Sequence, residues 1–233
     1  MLLFSMLAFL CITILPSAQV LAANSLSEKT ENSEVTDLFV EFIDLMFEHE
    51  DNILVTDIFG SNVTQWFKED ANIMLQQDDY QSIHELVIQN NWIIGYSETE
   101  NLTKKNDFSV MNDIRSRSVS YNFYGYGTNS TTTNSFPKEW VVTLSGTFSY
   151  NINTYRITSA PEPNLTIRTA NWGASFSPFL ENVSTSSSIS GSTVNHSASY
   201  KMGGTLALPI GSIPIGHPLD YGRHHHTITH GIN

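Results

Sequence analysis

Cysteine is all but missing: of 233 residues only Cys11 is one, and it sits in an apolar N-terminal stretch. That stretch, MLLFSMLAFLCITILPSAQVLAA (1–23), carries no charge, breaks at Pro16 and ends in small residues, which is the pattern of an export signal peptide. The run from Leu2 to Leu15 is shorter than the roughly 20 residues of a membrane span. Ala8-Phe9-Leu10-Cys11 also lacks the small residue that a lipoprotein site places before its cysteine. Cleavage before Asn24 is therefore expected, leaving a cysteine-free mature chain. Disulfides, thiolate metal ligands and cysteine nucleophiles are excluded together, and stability must come from a packed core.

Positive charge is also scarce, with 11 basic against 23 acidic residues. No basic run exists, so nucleic acid is excluded as a partner. No second stretch is apolar enough to span a bilayer, so no stable membrane span is expected after signal cleavage. The expected location is extracellular, either secreted or associated with the cell surface. The lack of cysteine favours a bacterial source.

Catalytic signatures are missing as well. His84-Glu85 begins a zincin-like pattern, but Ile88 stands where the second histidine belongs, so the pair reads as the polar face of a helix. No G-x-S-x-G elbow occurs, and Gly125-Tyr126-Gly127 lacks the strand–loop–helix context of a phosphate cradle.

What is present divides by composition. Residues 24–113 hold 19 acidic and 4 basic side chains, net −15; residues 114–233 hold 4 and 7, net +3. This predicts an acidic helical module at 24–100, a linker at 101–114 and a second domain at 115–233. In EVTDLFVEFIDLMFEHE the apolar residues recur at helical spacing, with Asn32 or Ser33 as caps. ILVTDIFG (53–60) reads as a short strand, Ser61 or Asn62 opens a second helix, and Tyr80–Gln89 forms a third before a strand at Trp92–Thr99.

The second half alternates instead. KEWVVTLSGTFSY places Trp140, Val142, Leu144, Phe148 and Tyr150 on one parity and hydroxyl residues on the other. STVNHSASYKM repeats the pattern, and five further strands are predicted at Val119–Phe123, Tyr155–Ile157, Leu165–Ala170, Ser184–Ile189 and Tyr221–His230. The expected fold class is α+β: an acidic, mostly helical module followed by an antiparallel β-sandwich.

The run from WVVTLSGTFSY through SPFLENVSTSSSISGSTVNHSASYKMGGTLALPIGSIPIG resembles a domain of unknown function in uncharacterised exported proteins of low-GC Gram-positive bacteria. The resemblance covers roughly the C-terminal half. It implies a secreted β-sandwich and transfers no catalytic residue.

Two features could carry function. In SVSYNFYGYG, Val119, Tyr121 and Phe123 share the inward parity while Tyr124 and Tyr126 take the other. Exposed, those two tyrosines suit stacking on a sugar ring or a partner side chain; otherwise a second layer, such as the helices, covers them. In RHHHTITH (223–230), His224 and His226 share a face about 7 Å apart and could hold zinc with a third ligand such as His217 or Asp220. The alternative is a histidine-rich edge strand packed around Ile228, and it is preferred because no complete ligand set is present. His196 shares the apolar parity of its strand and reads as a core residue.

Protonating the six histidines between His196 and His230 would move the second half from +3 to +9 and strengthen its attraction to the acidic half near pH 5.5. The leading functional expectation is a non-catalytic binding module for a cell-wall glycan or a surface protein. A metal-assisted secreted hydrolase using the C-terminal histidines, and a membrane-acting β-rich toxin, are the alternatives.

Overall fold

A computed structural model describes residues 35–98, 113–127, 138–171, 176–210 and 213–232, the side chains of 171, 176, 206–210 and 213–219 excepted. The export stretch 1–23 and residues 101–112 of the linker lie outside the described residues.

The acidic half folds much as its periodicity dictates. Helix α1 (Asp37–Glu48) starts at Thr36, whose hydroxyl accepts from the Phe39 amide, later than the expected caps at 32 or 33. Phe39, Phe42, Ile43 and Met46 form its buried stripe. Strand β1 (Ile53–Thr56) leads into α2 (Thr64–Leu75), where the Asn62 side chain accepts from the Thr64 amide. Helix α3 (Tyr80–Gln89) is capped by Asp79, whose carboxylate accepts from the Ser82 amide. Strand β2 (Ile93–Tyr96) returns antiparallel to β1.

The rest is strand: β3 (Ile114–Gly127), β4 (Lys138–Asn151), β5 (Arg156–Ser159), β6 (Asn164–Asn171), β7 (Phe176–Ser190), β8 (Thr193–Ile210) and β9 (Ile213–Gly231). They form two antiparallel sheets. The first runs β1-β2-β3-β4-β5, with β6 also paired to β4; the second runs β7-β8-β9. The sheets pack face to face, β3 against β9, β4 against β8, and β5 and β6 against β7. This arrangement is compatible with a β-sandwich. Among the described residues no helix is long and apolar enough to cross a membrane.

Two cores share the first sheet. On one face Val119, Phe123, Trp140 and Leu144 meet Val194, Tyr200, Met202 and Ile228 of the second sheet. On the other, Tyr124, Val141, Ile94 and Tyr96 meet Phe39, Phe42, Ile83 and Val87 of the helices. The hydroxyl parity of β4 is therefore wet only in part: Val141 is buried under the helices, while Thr143, Ser145 and Thr147 lie beyond them with at least partial exposure.

Two expectations are corrected by this arrangement. The compositional boundary near 101–114 is not a boundary of packing. β2, from the acidic half, pairs with β3 at Gly95–Phe123 and Tyr96–Asn122, and all described residues fall in one unit. Charge follows the surface, whereas the sheet follows the apolar residues. His84, read as part of a polar helix face, is 1 % exposed. Its ring packs edge-on to Phe39, 4.7 Å between centroids, and only Glu85 of the pair faces solvent.

Gly125 marks the tightest point of the first core. It pairs with Trp140 across β3 and β4, and a Cβ there would lie 2.2 Å from the indole nitrogen. Gly125→Ala is expected to lower stability by about 1–3 kcal/mol through overpacking, read as a lower urea midpoint with an unchanged m-value.

Candidate functional site

The first sheet is wider than the second. β3 lies under β9, the last strand of the second sheet, and β1 and β2 continue the first sheet beyond it. A cleft of about 1080 Å³ opens there. Its floor is the face of the first sheet that carries Leu54, Thr56, Ile93, Tyr121 and Phe123. One wall is β9 from Arg223 to Thr229; the other is the turn 57–60 with Trp92.

That turn is built to project apolar side chains. The Asp57 carboxylate accepts from the Phe59 and Ser61 amides, each at 2.8 Å, and Gly60 takes φ +82°. These backbone bonds, the Ser61 amide foremost, hold the Asp57 carboxyl below the usual carboxylate range. Phe59 is left 86 % exposed and Ile58 63 %. Neither was singled out from sequence. The available signal was DIFG itself, an Asx residue two before an aromatic and three before a glycine.

Tyr124, Tyr126, His224 and His226 all belong to the residues around this cleft. Their individual environments differ from the sequence expectation. Tyr124 is 5 % exposed, packed edge-on to Phe39 at 5.1 Å, and cannot stack on a sugar. Its hydroxyl bonds to buried Glu139 and lies 3.3 Å from His84 Nε2. Glu139 also accepts from the Thr36 hydroxyl, and burial holds its carboxyl above the usual range. Tyr126 is half-buried, its ring 5.3 Å from that of His84. The helical layer covers this parity of β3, as the packing alternative required.

His224 and His226 do share the inward face of β9, opposite Tyr200 and Ala198 of β8. Both rings lie against Tyr200, and His226 stacks on Phe123 with centroids 4.3 Å apart. The Trp140 indole N–H donates to the Tyr200 hydroxyl at 3.3 Å, and that hydroxyl is hydrogen-bonded to His226 Nε2 at 3.0 Å. His224 Nε2 donates to the Tyr221 carbonyl at 3.1 Å.

The metal expectation does not assemble. Both Nε2 atoms are committed to protein partners, and Asp220 accepts from Lys201 and from the Gly222 amide. The His217 side chain lies outside the described residues. Among the described residues no three His, Cys, Asp or Glu side chains converge. His225 faces outward between Ser199 and Thr227. His196 is fully buried, its Nδ1 2.7 Å from the Ser187 hydroxyl.

No family model, no curated protein and no solved structure matches the chain.

Burial pushes the His226 imidazole down to about 3 and His230 to about 4, and it lowers His196 and His224 as well. Neighbouring His224 and His225 add to the first of these, and Arg117 and His196 to the second. The expected charging to +9 near pH 5.5 therefore cannot occur in the folded protein, because His226 and His230 stay neutral there. The unfolded forms of His226 and His230 take up protons near pH 6.5, so their contribution is complete above that pH and falls as pH drops toward 4. Each of the two contributes up to about 1.4 kcal/mol per pH unit within that window, and His196 and His224 act in the same direction. Glu139, raised by burial, opposes them as a single group. The urea midpoint is expected to fall steeply between pH 7 and pH 5, and His226→Phe to flatten that slope. An unchanged slope in the variant would place the acid sensitivity elsewhere.

Proposed function

We propose that the protein is an exported, non-catalytic binding module, secreted or held at the cell surface, in which the two packed sheets form a β-sandwich under an acidic helical layer. Its target class is a surface protein or a cell-wall glycan.

One observation carries it: a large open cleft bordered by apolar groups that the fold takes trouble to expose. Phe59 and Ile58 cost solvation where they stand, and their turn is braced by three residues of hydrogen bonding rather than left loose. Around them lie Trp92, Tyr121 and a row of hydroxyl and amide side chains, Thr56, Asn62, Asn91, Thr227 and Thr229. Such a mixture of aromatic surface and neutral polar groups suits recognition. It does not suit proton transfer. Burial lowers the proton affinity of His224 and His226, both rings are tied into hydrogen-bonded stacks, and the buried carboxylate of Glu139 packs with Thr36, His84 and Tyr124 on the helical side of the sheet.

Phe59→Ala is expected to leave stability within about 0.5 kcal/mol, because the side chain is exposed. The same change is expected to reduce retention on whole cells and cell-wall fractions several-fold. Retention equal to that of the unsubstituted protein would remove the cleft from the function. Turnover of wall material by the purified protein would replace the binding reading with the hydrolase.

A further inference from the structure

We infer that the cleft receives an extended segment of a partner polypeptide, which pairs with the edge of β9 and adds a fourth strand to the second sheet. This rests on the binding reading above and narrows its target to a peptide.

The argument starts from the mismatch of the two sheets. Among the described residues β9 pairs with β8 alone, so its other edge presents backbone N–H and C=O groups to the cleft. Edges of this kind are normally blocked by lysine, proline or a bulge. From His224 to His230 the strand has neither lysine nor proline, and the β9 bulge at Tyr221–Gly222, opposite Met202, ends just before this stretch. Beside the edge, the first sheet continues as β2 and β1 with its inner face open. A strand laid next to β9 would stand over that face as β9 stands over β3.

The wall along β9 runs from Arg223 to Thr229, and seven residues of strand at about 3.3 Å each extend about 23 Å beside it.

The chemistry of the floor chooses between peptide and glycan. Leu54 and Ile93 are aliphatic and offer no hydrogen bond, Thr56 adds one hydroxyl at the rim, and Tyr121 lies nearly parallel to Phe123, 6.1 Å away. A sugar hydroxyl over Leu54 and Ile93 would lose its water without replacement. A strand places every second side chain on such a floor and bonds through its backbone to the edge. The fitting segment carries apolar residues at i, i+2 and i+4, with polar residues between them facing out beside His225, Thr227 and Thr229.

The test is selection of random 12-residue peptides on phage against the whole mature protein, followed by synthesis of the tightest binder. Recovered sequences are expected to alternate apolar and polar residues. N-methylation of alternate backbone amides in one register is expected to weaken binding at least tenfold, and in the other register less than twofold. Amide exchange in 224–229 is expected to slow when the peptide binds. Equal effects of the two methylation registers would overturn strand addition. Protection of the β9 edge in a self-associated free protein would assign the place to a second copy and overturn it too. Binding of wall glycan with no peptide recovered would sink the inference while leaving the binding module intact. Failure to bind peptide, cells or wall material would remove both.

Discussion

The structure depends on burying one end of the β3–β4 pair, around Tyr124 and Lys138–Val142, from both sides. Trp140, Val142 and Leu144 point into the second sheet, while Val141 and Tyr124 point under the helices. A strand covered on both faces has no solvent side on which a charge could sit, and the charged residues it carries there are drawn into bonds. Glu139 illustrates this, tied to Thr36 of the α1 cap and to Tyr124. The helical layer cannot leave without exposing that carboxylate's surroundings together with Phe39, Phe42 and Val141. Removing such a cover costs the apolar area at about 25 cal/mol per Å².

The second sheet is fastened by rings. Tyr200 accepts from the Trp140 indole N–H and hydrogen-bonds to His226, which lies flat on Phe123. His196 reaches so close to β4 that a Cβ on Gly146 would meet its ring at 2.5 Å. Imidazoles serve here as flat, neutral fillers with a polar edge, and their low proton affinity follows from that burial. A histidine cluster in a sequence thus has a packing use that needs no metal and no catalysis, and it makes the sheet interface sensitive to acid.

Much of this was legible beforehand. The helix at Tyr80–Gln89 and the alternation of β4 and β8 were legible, Val119–Phe123, Ser184–Ile189 and Tyr221–His230 located β3, β7 and β9 but fell short of their observed bounds, and the preference for an edge strand at 223–230 agrees with the position of β9 at the end of its sheet. Periodicity reports which face of an element is buried, not what buries it. Tyr124 was left between an exposed reading and a favoured cover by the helices, because periodicity does not say that α1 and α3 return to it. The division by charge misled for the same reason: net charge is a property of exposed residues, and the pairing of β2 with β3 joins two apolar segments. The cleft was illegible because it arises from a difference in sheet width, a property of pairing across the whole chain. Only the turn at DIFG left a local mark.

That difference in width is what gives the fold something to do. The acidic half supplies β1 and β2, which extend one sheet past its partner and leave an apolar floor beside an open edge. The cleft therefore exists only if both halves form one continuous sheet. Native-state amide exchange tests this most directly. The account predicts that the slowest amides of α1 and α3 open with the same free energy as those of β4 and β8, in one global unfolding event. Helical amides that open several kcal/mol sooner, while β4 and β8 stay protected, would show two separable modules and contradict it.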